Sequence, residues 1–247
     1  VVEQAEARQL FDAPPAKPSR VDALIAGHMM NYIRDGSCIQ LGIGGMPNAV
    51  GMMIAESDLK DLGCHTEMLV DAYVHMFNAG KLTGRKKQID PGKLVYTFAL
   101  GTQLLYDFLD DNPWCATYPV SYTNKPSIVA LNDNVVTINN AIEIDLYGQV
   151  CSESSGFRQI TGTGGQLDFV LAGYESRGGK SIVCLPSSYK DKEGKIRSRI
   201  VPYLPPGGIV TVSRTINHIV VTEFGKVNMK GKNTWQRAEE LIGIAHP

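Results

Sequence analysis

One segment of the sequence sets the fold class before any other feature. A short apolar run, Cys38-Ile-Gln-Leu41, passes through the loop Gly42-Ile-Gly-Gly-Met-Pro47 into a helical pattern over residues 49–55. Strand, glycine loop and helix in this order form the basic unit of α/β proteins, because glycine permits the tight turn and a close approach of the backbone. The sequence therefore predicts an α/β domain.

Further helical and strand patterns surround this unit. Ser19 is a candidate N-cap with an acidic residue, Asp22, three positions later, which predicts that a helix begins there. Residues 93–100 form a strand-like run, residues 104–109 repeat apolar side chains at helical spacing, and residues 68–79 are moderately helical. These patterns predict that helices pack against a sheet.

The second half of the chain, from about residue 128, is rich in short strand-like runs. Most of them are β-branched and bounded by Gly, Pro or Asn, which favours strands and leaves room for antiparallel pairs. A closing helix is predicted for the last dozen or so residues. We therefore expect an open mixed sheet flanked by helices, with a strand-rich second half. The predicted strands are residues 135–138, 143–146, 181–185, 209–212 and 218–222.

Composition and charge narrow the function classes. The chain has 247 residues, of which 43% are hydrophobic, and its net charge is −1, which excludes a disordered chain and disfavours nucleic-acid or membrane-surface partners. No apolar stretch approaches the ~18–20 residues of a membrane helix, so a cytoplasmic protein is expected. The five cysteines have no C-x-x-C pair, and we expect neither a disulfide framework nor a metal site.

A second glycine loop gives the first indication of a binding site. Gly162-Thr-Gly-Gly-Gln-Leu-Asp-Phe169 has three glycines in four residues, more than a single turn needs. The first glycine loop lacks the G-x-G-x-x-G spacing, since Pro47 takes the third position, and it has no Walker lysine, so it gives only weak support to a dinucleotide or P-loop site. Two such loops predict that two strand ends line one pocket, where backbone N–H groups bind a phosphate or an oxyanion.

Glu67 is a candidate catalytic residue. It lies in Gly63-Cys-His-Thr-Glu-Met68, where another strand is expected to end. Spacing alone does not separate it from several other acidic residues. These rivals are Asp71, Glu143, Asp145, Glu153 and Asp168.

Six motifs, taken in order, resemble those of the acetyl-CoA hydrolase/transferase family. The likeness is greatest to 4-hydroxybutyrate and butyryl-CoA:acetate CoA-transferases, and it covers the whole chain. The first three motifs are Gly42-Ile-Gly-Gly-Met-Pro47, Gly63-Cys-His-Thr-Glu-Met68 and Ile142-Glu-Ile-Asp-Leu-Tyr-Gly-Gln-Val150. The other three are Gly162-Thr-Gly-Gly-Gln-Leu-Asp-Phe169, Ser198-Arg-Ile-Val-Pro202 and Thr222-Glu-Phe-Gly225.

The resemblance implies a domain organisation. Members of the family have two similar α/β domains in one chain. By this likeness residues 1–19 are an interdomain linker, and residues 20–247 are the C-terminal catalytic domain, with the N-terminal domain absent from this chain. The chain alone is then expected to have little transferase activity, because the other domain completes the site.

The resemblance also implies a mechanism. In the family, a glutamate at the position of Glu67 attacks an acyl-CoA and passes through an anhydride to a glutamyl-CoA thioester. A carboxylate is ionised at pH 7 and needs no general base to act as a nucleophile. The tetrahedral intermediates still need oxyanion donors, which backbone N–H groups of glycine loops can supply.

Further site residues are assigned by the same resemblance. Contacts to CoA and to the acyl oxygen are expected from the first glycine loop, from the residue just before the predicted strand 143–146, and from the second loop. These residues are Gly42, Ile43, Gly44, Gly45, Met46, Ile142 and Gly164. Gln40 and Glu223 are assigned to the acyl pocket.

The leading hypothesis is a transferase that moves CoA between a short-chain acyl-CoA and a carboxylate through Glu67. Acetate, butyrate and 4-hydroxybutyrate are candidate substrates, and CoA thioesters act as substrates, with no permanently bound cofactor. A homo-oligomer is expected, without nucleic acid or membrane. Two alternatives stay open: a hydrolase that uses the same intermediate, and a non-catalytic domain that binds a phosphorylated metabolite.

Overall fold

The computed structural model describes residues 10–42 and 44–247 of the chain. In these residues the helices are α1 (Arg20–Met30), α2 (Gly45–Glu56), α3 (Asp71–Asn78), α4 (Gln103–Leu109), α5 (Val120–Thr123), α6 (Pro126–Val129), α7 (Gln166–Glu175) and α8 (Thr234–Gly243). The first strands are β1 (Cys38–Leu41), β2 (Gly63–His65), β3 (Met68–Leu69), β4 (Leu94–Tyr96), β5 (Phe98–Ala99), β6 (Cys115–Thr117), β7 (Val135–Asn140) and β8 (Glu143–Asp145). The remaining strands are β9 (Val150–Cys151), β10 (Ser154–Ser155), β11 (Arg158–Gln159), β12 (Lys180–Cys184), β13 (Ser188–Lys190), β14 (Ile196–Ser198), β15 (Ile200–Val201), β16 (Ile219–Thr222) and β17 (Gly225–Asn228).

The central sheet has eight strands in the order β17-β16-β12-β7-β1-β2-β4-β6. Every neighbouring pair is parallel except β16 and β17, which are antiparallel. This confirms the predicted open mixed sheet. The strand order reverses between β1 and β7, where Ile39 lies opposite Val136. At such a reversal the connections leave in opposite directions and open a crevice at the carboxyl ends of the strands.

Helices cover both faces of this sheet. Adjacent residues of a strand point to opposite faces, and β1 shows both: Ile39 belongs to a large core with buried residues of α1 to α4, whereas Cys38 packs with Phe169 of α7 and Val129 of α6. Four consecutive buried residues in β1 follow from this two-sided cover. No helix in the described part of the chain is long and apolar enough to cross a bilayer.

The second half adds small sheets to the central one, which confirms the predicted antiparallel pairs. β10 pairs with β11, β13 with β14, and β8 with β9, all antiparallel, while β15 pairs with β8 in parallel. A second apolar core lies between these small sheets and the central sheet, and it includes Ile144 of β8, Val150 of β9 and Val183 of β12.

Three sequence-based element predictions were wrong or incomplete. Residues 209–212 form no strand, since Val212 makes only an isolated bridge to Val150 and the segment finds no continuous partner. The segment 68–79 begins as strand β3, which pairs with β5, and becomes helical only at Asp71. The sequence also predicts that the second glycine loop continues as far as Phe169, whereas α7 already begins at Gln166.

Candidate active site

A cleft of about 270 Å³ opens at the carboxyl edge of the central sheet, where the strand order reverses. The ends of β1 and β7, the segment after β2, and the loop before α7 all contribute to it. This brings the two glycine loops together with Glu67, as the sequence predicted for the loops. The lining residues are Gln40, Leu41, Gly42, Glu67, Met68, Phe98, Asn139, Asn140, Ser152, Glu153, residues 161–166 and Phe169.

The backbone of Glu67 is fixed between two short strands. Its carbonyl accepts hydrogen bonds from the N–H groups of Thr97 (2.9 Å) and Phe98 (3.2 Å), immediately before and at the start of β5. The Thr66 hydroxyl donates to the carbonyl of Met68 at 3.1 Å and tightens the same turn. The side chain is half-buried and lines the cleft, so its carboxyl group is presented from a hydrogen-bonded segment of backbone.

The carboxylate of Glu67 accepts two hydrogen bonds. Asn124 Nδ2 donates to Oε1 at 3.1 Å, and the backbone N–H of Gly165 donates to Oε2 at 3.2 Å. Gly165 is the N-cap of α7, so the positive end of that helix faces the carboxylate. The two donors fix the orientation of the carboxylate within the cleft.

Three of the five acidic rivals lie elsewhere. Asp71 accepts from the backbone N–H and hydroxyl of Thr102, and Asp145 accepts from the backbone N–H of Tyr147 and Gln149. The third rival, Glu143, is buried, which raises its pKa, while the positive charge of Arg199 lowers it. In the described structure none of these three lines the cleft.

The other two rivals lie close to Glu67. Glu153 lines the cleft and is 5% exposed. Asp168 is in the first turn of α7, and both burial and the negative charge of Glu67 raise its pKa. Glu67 is nevertheless the carboxylate that receives donors from two different segments, which distinguishes it as the best oriented acid of the site.

The first glycine loop leads from β1 into α2. Gly44 is the N-cap of α2 and has φ of +122°, a backbone conformation that favours glycine. Gly42 lines the cleft, whereas Gly44 lines a neighbouring cavity of about 250 Å³ that also shares Gly42 and Met68. The Met46 side chain is buried in the core, and Ile43 lies outside the described residues.

The second glycine loop closes over Glu67. Gly164 has φ of +53° and lines the cleft. A Cβ on Gly165 would lie 2.4 Å from Asn124 Nδ2 and 2.8 Å from Glu67 Oε2, so a glycine is required for the observed contact. The second loop therefore contacts the carboxylate through a backbone N–H group, and the first loop lines the same cleft through Gly42.

The remaining sequence-predicted residues fall into two groups. Gln40 lines the cleft, where its side-chain amide pairs with that of Asn139 at 3.1 and 3.3 Å. Ile142 and Glu223 are not among the described residues that line it. The backbone N–H of Ile142 donates to the carbonyl of Cys151, and the Glu223 carboxylate accepts from the N–H and hydroxyl of Ser187 at 2.8 and 2.7 Å.

Sequence reasoning missed Asn124 and Asn139. Asn124 follows a four-residue helix and belongs to no glycine motif, so only the fold shows that it contacts Glu67. Asn139 could have been noted as a polar residue near the end of an apolar strand. Within residues 10–42 and 44–247, no group of three or more His, Cys, Asp or Glu side chains could hold a metal ion.

The fold and the site together define an α/β protein with a carboxylate at the switch point of a mixed sheet, facing two glycine loops. The sequence model described as "Acetyl-CoA hydrolase/transferase C-terminal domain" matches residues 101–247, which is more than half of the chain. The chain belongs to the acetyl-CoA hydrolase/transferase family. This confirms the resemblance drawn from the six motifs.

Individual relatives agree with this assignment. The chain is 60% identical to the probable butyrate:acetyl-CoA coenzyme A-transferase of Syntrophomonas wolfei, over 94% of this chain and 52% of that protein. It is 44% identical to the 4-hydroxybutyrate coenzyme A transferase of Clostridium kluyveri, over 96% and 54%. The crystal structure of RipA from Yersinia pestis matches with a TM-score of 0.89 and 41% identity, over 96% and 52%. The chain thus spans about half the length of the curated relatives it matches.

Proposed function

We propose that this protein is part of a CoA-transferase that moves CoA between a short-chain acyl-CoA and a carboxylate, with Glu67 as the nucleophile. The observation that carries the proposal is the position of the Glu67 carboxylate, held by Asn124 and by the N-terminus of α7 in a cleft lined by both glycine loops. The names of the relatives support butyrate, acetate and 4-hydroxybutyrate as candidate acids.

The atoms and electrons of the proposed reaction balance without a metal ion or a redox cofactor. An Oε atom of Glu67 attacks the acyl carbonyl carbon, the C–S bond breaks, and the CoA thiolate departs. The product on the protein is an acyl-glutamyl anhydride. The thiolate then attacks the glutamyl carbonyl and expels the acyl carboxylate, which gives a glutamyl-CoA thioester. An acceptor carboxylate then attacks the glutamyl-CoA thioester, and the same two steps run in the reverse direction. The acceptor leaves as the new acyl-CoA, and the Glu67 carboxylate is restored.

The glycine loops supply the electrophilic assistance in this proposal. Each attack places negative charge on a carbonyl oxygen, and a positioned backbone donor lowers that barrier by ~2.7–4 kcal/mol. Gly42 and Gly164 line the cleft beside Glu67, Gly44 lines the neighbouring cavity, and Gly45 is the first residue of α2. We assign the oxyanion and CoA contacts to these loops, with Gln40 at the acyl group.

The proposal includes the domain organisation expected from the sequence: residues 1–19 as a linker and residues 20–247 as the C-terminal catalytic domain. Its support is that the matched relatives are about twice as long as this chain. We propose that a second domain, in the same or a separate chain, completes the site. We also propose a homo-oligomeric enzyme of the cytoplasm, with Ile142 and Glu223 approached by substrate in the complete protein.

The test is to incubate the full-length protein with butyryl-CoA and to search by mass spectrometry for CoA on the peptide that contains Glu67. We expect the adduct in the parent protein and its loss in Glu67→Ala. Glu175→Gln, which alters an exposed carboxylate at the far end of α7, is the control that keeps the adduct. A thioester on another carboxylate, or none from an active enzyme, rejects the proposal. Turnover without an acceptor acid would indicate the hydrolase instead.

A further inference from the structure

A buried histidine precedes the proposed nucleophile by two residues and has no part in the reaction described above. His65 is the last residue of β2 and is 1% exposed. In the described structure it does not line the cleft. Its side chain lies against the segment that carries Asn124, and this contact gives it a role.

The contact fixes the tautomer of the imidazole. His65 Nε2 lies 3.0 Å from the carbonyl oxygen of Thr123. A carbonyl only accepts, so Nε2 must carry the hydrogen, and Nδ1 is then the unprotonated nitrogen of a neutral ring. Nδ1 is buried without a partner in the described structure. Burial, and then the charge of Lys87, lower the pKa of His65 to about 4, so the ring stays a neutral donor at physiological pH.

Thr123 and Asn124 share one short turn, and the turn is held from two sides. Thr123 is the last residue of α5, and the N–H of Asn124 donates back to the carbonyl of Val120 at 2.9 Å. Tyr122 stacks on the His65 ring at 6.2 Å between centroids, and its hydroxyl donates to Asp90 at 2.9 Å. The Thr123 carbonyl is therefore anchored, and the next residue, Asn124, is held in one orientation towards Glu67.

We propose that His65 is a positioning residue for the Glu67 carboxylate, acting through the Thr123 carbonyl and the side chain of Asn124. β2 then supplies both the nucleophile and, two residues earlier, the donor that places the partner of that nucleophile. The inference rests on the proposed function, because it assumes that Glu67 reacts. It explains a polar side chain at a fully buried position of the strand.

If His65 only filled space in the core, its substitutions would affect the reaction rate differently. Phe fills a similar ring volume and can stack on Tyr122, so His65→Phe would then preserve the reaction once the protein is folded. A positioning histidine needs its Nε2 donor. Gln carries an amide N–H at nearly the same distance from the backbone, so His65→Gln can keep the bond to Thr123.

The experiment measures the rate at which butyryl-CoA forms the Glu67 adduct in the full-length protein. We expect His65→Phe to slow this step by about tenfold or more, with KM little changed, because Thr123 loses its donor and Asn124 is no longer held. His65→Gln should stay within about threefold of the parent. Thermal unfolding confirms that each variant is folded. If His65→Phe does not fold, His65→Asn, whose amide is too short to reach Thr123, takes its place.

A double-mutant cycle with Asn124→Ala tests whether His65 acts through Asn124. Once Asn124 lacks its amide, His65→Phe should slow the adduct by less than about a further twofold. Independent, multiplicative effects would overturn the proposal, as would a folded His65→Phe with the parental rate or a His65→Gln as slow as His65→Phe. If the parent forms no adduct on Glu67, the proposed function fails and this inference with it. An adduct at the parental rate in His65→Phe rejects the inference alone.

Discussion

The Glu67 carboxylate is held by two donors that come from distant parts of the chain. Asn124 follows the short helix α5, and Gly165 is the N-cap of the longer helix α7. A Cβ atom on Gly165 would nevertheless contact the side chains of both Asn124 and Glu67. Close packing of this kind leaves no room for adjustment by a methyl group. The geometry of the site therefore depends on the absence of a side chain at Gly165 as well as on the side chains of Glu67 and Asn124.

We predict that Gly165→Ala abolishes most adduct formation, by about 100-fold, because the methyl group displaces Glu67 from its donors. Gly165 has φ of −89°, which alanine also adopts, so backbone strain adds little to the effect. The measurement is the initial rate of adduct formation. Gly27→Ala, in α1 with open space around the new methyl group, is the matched control. Parental rates in a folded Gly165→Ala protein would contradict the observed packing.

The family motifs predict Glu67 and both glycine loops as parts of one site, and the structure places Glu67, Gly42 and Gly164 along one cleft. The sequence could not identify Asn124 or the pairing of Gln40 with Asn139. The pairing of Gln40 with Asn139 depends on β1 and β7 being neighbours and on their register. The contact of Asn124 with Glu67 depends on α5 lying beside the end of β2. Register is set by the burial of whole strands and not by any local pattern around the two amides.

Helix α7 is the element that most changes the interpretation of the sequence. It begins inside the second glycine loop, and its N-terminus binds the carboxylate. Its apolar residues repeat at helical spacing from Phe169 onward, which is a pattern typical of a helix. The glycines before Phe169 favour a loop instead, so the start of the helix is not evident from the sequence. The failed strand at residues 209–212 shows the converse: β-branched residues favour a strand, but only a partner strand makes one.

We predict that Phe169→Ala loosens α7 and weakens both stability and reaction. Phe169 is 1% exposed and packs with Cys38, Val129 and Val135 beneath the cleft. Its truncation should cost ~3–5 kcal/mol in the free energy of unfolding, as for other buried aromatic residues. Chemical denaturation measures the loss. Leu167→Ala changes an exposed side chain of the same helix and should have little effect on stability; equal losses in the two variants would show that Phe169 does not anchor α7.

For the molecule as a whole, buried histidines link stability to pH. His218 is 6% exposed, and burial followed by the charges of Lys230 and Lys180 lowers its pKa to about 4. Unfolded His218 binds a proton below pH ~6.5, whereas the folded protein does not until about pH 4. Stability from this group is thus fully present above pH ~6.5, is lost as pH falls toward 4, and changes no further below that.

We predict that His218→Gln flattens this dependence. Between pH 7 and 4 the parent should lose up to about 3 kcal/mol more stability than the variant, which lacks the titrating group. The measurement is the free energy of unfolding in urea at several pH values. His246→Gln removes an exposed histidine and serves as the control. Parallel curves for the parent and His218→Gln would show that His218 is not the source of the dependence.

The order of strands in the central sheet also dictates an order of assembly. From β1 the sheet extends through β2, β4 and β6 in the sequence of the chain, and only afterwards through β7, β12, β16 and β17 on the other side of β1. While the chain is being synthesised, the first group can pair early, but β1 keeps an open apolar edge until Val135 arrives to face Cys38. Such long-range pairing is slow, and an unpaired edge favours association between chains. Glu67 is thus synthesised long before the helix that binds it, and the cleft can close only once the chain has been synthesised as far as Phe169.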